Sequence, residues 1–169
     1  PDSPSKSRRY NFDYWDQNNS DHENLDQFYS FNLWQSFKTT SNISINANLS
    51  SKGKDDEITQ GSSVSPFLRT GNGGNVDFNY SSAQLGPWKY SFGIGVERKN
   101  YYAYTDRRRS ASIGLGYTPQ DNIRTWLRLN HSRRSNWTIR VDEDLYGTFA
   151  QKRVGVNTGV TWYPSDKQE

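Results

Sequence analysis

The sequence predicts an all-β protein: an antiparallel up-and-down transmembrane β-barrel with about eight strands present, forming part of a larger barrel. Three observations predict it. The first is alternation. From Ile123 to Val141 the odd positions include Ile123, Leu127, Leu129, Trp137, Ile139 and Val141, and the even positions include Arg124, Trp126, Arg128, Asn130, Arg134 and Arg140. Successive side chains of a strand point to opposite faces, so this segment has one apolar-ended face and one Arg/Asn/Ser face. The second is strand length, here about twenty residues against the usual five or six. The third is composition: only 31% of the chain is apolar and mean hydropathy is −1.04, yet aromatics make up 15%. Low apolar content with few aromatics marks disorder, whereas a barrel with a polar interior needs only the outward half of each strand to be apolar.

The strands follow in order. Ser7 to Trp15 sets Tyr10, Phe12 and Tyr14 on one face, and an acidic, Asn-rich loop over about 16–26 follows. Gln27 to Lys38 carries Tyr29, Phe31, Leu33 and Phe37 outward. After Thr39-Thr40-Ser41, the stretch Asn42 to Ser50 alternates Ile43, Ile45, Ala47 and Leu49 with Ser44 and three Asn. The second long loop is expected over about 51–74, rich in Gly, Ser and charge. Asn75 to Ser82 carries Val76, Phe78 and Tyr80, and a Gly86-Pro87 turn leads to Trp88, Tyr90, Phe92, Ile94 and Val96, opposite Lys89, Ser91, Gly93, Gly95 and Glu97. A loop at Asp106-Arg107-Arg108 is expected to reverse the chain into Ala111, Ile113, Leu115 and Tyr117. The turn at 118–122 opens the long strand described above. After Asp142-Glu143-Asp144 the last strand sets Val154, Val156, Val160 and Trp162 against Arg153, Gly155, Asn157 and Gly159. Pro, Asp and Gly in the gaps supply turn dihedrals. The whole of 1–169 reads as a single barrel segment.

Several classes of function find little footing. No run of about eighteen apolar residues exists to form a transmembrane helix or signal sequence. Cysteine is absent, which removes disulfides and thiolate metal sites. The chain opens Pro-Asp-Ser-Pro without Met, so a processed or excised piece is expected. The net charge of +3 is dispersed, which argues against nucleic acid as a partner. Asp21, His22 and Glu23 are adjacent in a loop and match no metal motif. Thr70-Gly71-Asn72-Gly73-Gly74 lacks the Lys-Ser/Thr and helix start of a phosphate loop. Asn-x-Ser/Thr triplets occur at Asn18, Asn42, Asn48, Asn79, Asn130 and Asn136; five of the six fall on the inward face of an expected strand, where period-two patterning of a polar face generates them without glycosylation. No catalytic residue, cofactor or metal is expected, and a non-enzymatic role is.

The candidate lumen-lining residues are Arg124, Arg128, Arg134, Arg140 and Arg153, with Glu97. Such a ladder could favour anions or hydrogen-bond a saccharide; it could equally fill the barrel by pairing with Glu97 or Asp77 across the lumen. The inward glycines could leave room for those long side chains. Tyr101, Tyr102 and Tyr104, beside Arg107–Arg109, are candidate loop aromatics for sugar or lipopolysaccharide; an interfacial girdle with snorkelling Arg is the alternative.

From Arg124 onward the chain resembles the C-terminal outer-membrane β-barrel domain, of unknown function, in bacterial proteins that carry an N-terminal carbohydrate-binding-module-9-like domain. The residues that carry this are Leu127-Arg128-Leu129, Asn136-Trp137-Thr138-Ile139, Asp144-Leu145-Tyr146-Gly147-Thr148-Phe149 and Val160-Thr161-Trp162-Tyr163-Pro164-Ser165-Asp166-Lys167-Gln168-Glu169. The resemblance implies a Gram-negative outer membrane, a porin-like anchor or pore linked to carbohydrate binding or uptake, and lipid, saccharide and the remaining strands or a partner outer-membrane protein as neighbours. It transfers no catalytic residue. The competing expectation is a soluble antiparallel β-sheet module that binds saccharide through surface aromatics and Arg.

Overall fold

The computed structural model describes residues 5–18, 24–51, 53–55, 68–101, 104–142 and 145–163. They form one antiparallel sheet of β1 (Ser5–Asn18), β2 (Asn24–Phe37), β3 (Asn42–Ser50), β4 (Gly53–Asp55), β5 (Leu68–Ser81), β6 (Trp88–Tyr101), β7 (Thr105–Gln120), β8 (Ile123–Asp142) and β9 (Leu145–Trp162). The eight long strands pair up-and-down in chain order, and the three-residue β4 pairs with β5. Among the described residues there is no helix, and β1 and β9 do not touch, so the sheet has two free edges.

Short reversals gather at one end. Leu85 donates from its amide to the Trp88 carbonyl at 2.8 Å around Gly86-Pro87, where Gly86 takes φ 59° without a Cβ to obstruct it. Gln120 pairs with Ile123 around Asp121-Asn122, and Phe37 donates to the Ser41 carbonyl at 2.9 Å.

The strands run further than the residue pattern implies. The expected loop at 51–74 is partly strand at both ends, because β4 occupies Gly53–Asp55 and β5 begins at Leu68. The expected loop over 16–26 narrows likewise, with β1 reaching Asn18 and β2 starting at Asn24. Asp106, Arg107 and Arg108 do not reverse the chain; they lie in β7, and the reversal falls between Tyr101 and Tyr104, whose backbones bond at 2.8 Å.

Register carries the apolar face across the sheet. One row runs Tyr10, Leu33, Ile45, Phe78, Ile94, Ala111, His131, Val154; the next runs Ile43, Tyr80, Phe92, Ile113, Leu129, Val156. These residues are exposed or half-buried, Ile113 at 66% and Val156 at 63%. The buried described side chains are Ser30, Ser36, Ser41, Ser82, Asp106 and a single large apolar one, Tyr101. The usual order of apolar inside and polar outside is thus reversed.

Candidate functional site

The polar face is built by the alternate residues of the same strands. The sheet bends around it: Gly93 and Gly95 are buried while Ile94 between them is exposed. A cavity of about 440 Å³ is lined from β5 to β9 by Asp77, Asn79, Arg108, Arg128, Asn130 and Arg153 among others. Below it, toward the short turns, a space of about 490 Å³ takes Lys89, Arg124, Trp126 and Arg128. Above it, one of about 270 Å³ takes Asp77, Glu97 and Arg108.

The six expected lumen residues fare differently. Arg124, Arg128, Arg153 and Glu97 line these spaces. Arg134 faces the same side but is engaged: its Nε donates to Asp106 Oδ2 at 2.7 Å, and a terminal nitrogen donates to the same oxygen. The side chain of Arg140 lies outside the described residues. Arg134 pairs with Gln151 and Trp137 with Phe149, so β8 has one more residue than β9 in that interval, a β-bulge. Asn136 takes φ 57° there and its amide nitrogen donates to the Thr105 carbonyl at 2.9 Å. Beyond the extra residue the backbone of Arg140 pairs with that of Tyr146.

Ion pairing is local. Glu97 meets Arg108, its register partner on the neighbouring strand, at 3.9 Å. Asp77 accepts from the Asn75 amide at 2.7 Å. Among the described residues no pair crosses the lumen. Asp106 and Arg108 are therefore functional-face residues that the residue pattern assigned to a loop. The signal was available: both share the parity of Ser110, Ser112 and Gly114, and the alternation continues upstream through them.

The inward glycines make room chiefly for neighbouring short polar groups. A Cβ at Gly95 would strike the carboxylate of Asp77 and approach Ser110 Oγ to 2.7 Å, and one at Gly93 would lie 2.6 Å from Asn79 Oδ1. Gly159 is the exception, since its Cβ would sit 2.6 Å from Nε1 of Trp126, whose indole lies across β9 at that point.

The aromatics divide. Trp88 and Tyr117 are register partners with ring centroids 4.3 Å apart, on the apolar face near the short turns with Tyr90 and Trp162. Tyr101 is not an exposed loop aromatic: it is 8% exposed and stacks on Tyr104 with centroids 4.7 Å apart. Its parity places it on the polar face, with Glu97 and Lys99. Tyr102 lies outside the described residues.

This arrangement offers hydrogen bonding and positive charge along a polar trough, and among the described residues no cluster of metal ligands. The resemblance of residues 124–169 rests on those residues alone, since no protein-family model, curated protein or solved structure matches the chain.

Proposed function

We propose that the chain is the membrane-embedded segment of a β-barrel in a bacterial outer membrane, serving as anchor or pore, with the carbohydrate association that the resemblance of residues 124–169 implies. One observation carries the reading: a continuous apolar face is exposed while the buried side chains are almost all polar. All described strands belong to one sheet, so no second layer covers that face. Soluble proteins rarely expose apolar patches larger than a few hundred Å², and lipid is the solvent such a face suits.

The height of the face agrees. On β8 it extends from Ile123, paired with Trp162, to His131, paired with Val154, with the basic pair Arg133 and Lys152 beyond. Eight steps at about 3.4 Å each give about 27 Å along the strand, and a tilt of about 40° reduces this to about 21 Å, near the expected apolar band of about 25 Å. Trp88, Tyr117 and Trp162 stand at one border of the band, as an interfacial girdle would. The free edges of β1 and β9 support a larger barrel completed by further strands, because an exposed edge invites pairing.

Single cysteines placed along Arg124 to Arg134 in membranes test this. Odd positions are expected to react with a lipid-soluble thiol reagent and even ones with an aqueous reagent. Uniform aqueous labelling without membrane association would favour the soluble saccharide-binding module.

A further inference from the structure

The outward face changes character abruptly at its upper border. Directly beyond Ala111, His131 and Val154 lies the row Arg109, Arg133, Lys152, each the register partner of the next. One step further Arg98 pairs with Arg107. All five are exposed. Arg98 donates from Nε to Asn100 Oδ1 at 2.9 Å, and among the described residues none of the five has a carboxylate partner. The carboxylates Asp77, Glu97 and Asp106 belong to the other face by parity. Like charges directly opposite one another destabilise a sheet, so five of them in adjacent positions call for an external anion.

A second observation specifies its form. A groove of about 810 Å³ on this part of the sheet is lined by Leu49, Val76 and Val96, with Arg98, Arg107 and Arg109 beside them; Glu97 and Arg108, paired with each other at 3.9 Å, also contribute to its lining. Leu49, Val76 and Val96 are all exposed. An apolar floor continuous with a guanidinium rim suits an amphiphile whose head carries phosphate, since guanidinium forks match phosphate oxygens in paired hydrogen bonds.

We propose that this corner of the outward face is a binding site for a phosphate-headed lipid, its acyl chain over Leu49, Val76 and Val96 and its phosphate among Arg98, Arg107, Arg109, Arg133 and Lys152. The site rests on the membrane reading above and adds a headgroup preference to it. It lies at the end opposite the short turns, so the lipid belongs to the leaflet on that side.

The test uses the full chain. Insertion into phosphatidylcholine vesicles, judged by resistance to alkaline extraction, tests the membrane reading alone. Short-chain phosphatidic acid is then titrated into the protein in uncharged maltoside micelles, with phosphatidylcholine as comparison. Phosphatidic acid is expected to bind about tenfold to a hundredfold more tightly. R109Q/R133Q/K152Q should abolish the preference while the inward pair R128Q/R153Q keeps it, and millimolar inorganic phosphate should not compete. Insertion without headgroup preference, loss of preference in the inward pair, or full preference in the outward triple variant overturns the site and leaves the membrane reading standing. Failure to insert removes both.

Discussion

Arg134 on β8 grips Asp106 on β7 through a single carboxylate oxygen, at 2.7 Å from Nε, and Asp106 is only 4% exposed. The other oxygen, Oδ1, is buried without a hydrogen-bond partner among the described residues. Lys99 is the register partner of Asp106, two residues before Tyr101, which stacks on Tyr104. A buried carboxylate with one satisfied oxygen depends strongly on its cation. Arg134→Ala is therefore expected to cost about 2–4 kcal/mol, because it strands Asp106, whereas the double substitution with Asp106→Ala should cost less than the sum. Denaturant unfolding in detergent micelles across the four-protein cycle measures the coupling. Additive losses would mean that the two side chains do not act as a pair.

Neighbouring positions on β8 separate the two faces. Leu127 stands among Leu115 and Thr158 on the outward side, and Arg128 lines the trough. Leu127→Arg should block insertion or cost about 2–4 kcal/mol near the bilayer midplane. Arg128→Leu should be much milder, since it removes a cation from a wet cavity. Folding yield into vesicles reads both, and equal damage from the two would contradict the assignment of faces.

The residue pattern made the architecture legible because register and parity are the same information seen twice. Once Leu127 and Leu129 face out, Leu115 and Ile113 must face out beside them, and the ladder bears this out. What it hid were places where a local signal opposes the tertiary one. Gly71, Gly73 and Gly74 read as loop residues, yet they lie in β5, where Gly73 and Gly74 pair with Lys99 and Arg98 and leave no space for a side chain: a Cβ at Gly73 would sit 2.8 Å from the Arg98 carbonyl. Asp106, Arg107 and Arg108 look like a polar turn, but two of them supply the trough while Arg107 joins the outward basic row. The bulge at Asn136 leaves no mark in the pattern, because Arg134, Asn136 and Arg140 are all polar on either phase. For the trough, the ladder of arginines was visible; their partners were not, since pairing depends on which acid register brings alongside.

A strained turn offers a simple gain. Thr40 takes φ 65° in the reversal after β2, a left-handed conformation in which a β-branched side chain is disfavoured. Thr40→Gly relieves the clash but adds freedom to the unfolded chain. The balance is expected to stabilise by about 0.5–1 kcal/mol. A denaturation midpoint that moves up in micelles would bear this out; a lower midpoint would show that the Thr40 side chain makes a compensating contact.

Trp126 is the one large aromatic of β8 on the polar phase below the bulge, and Gly159 is what lets it lie down. The indole spans β9 where a Cβ would approach Nε1, Cε2 and Cζ2 to 2.6, 2.7 and 2.8 Å. A rigid two-ring side chain cannot yield by a small torsion, so Gly159→Ala must swing it away from β9 toward Lys89 and Arg124, which share its cavity. Overpacking of this kind typically costs about 1–3 kcal/mol. The cost should vanish in a Trp126→Leu background, where nothing rigid opposes the new methyl group. If Gly159→Ala were equally costly in both backgrounds, the glycine would be serving the backbone of β9 and not the indole, and Trp126 would be free to act as a stacking surface in the trough.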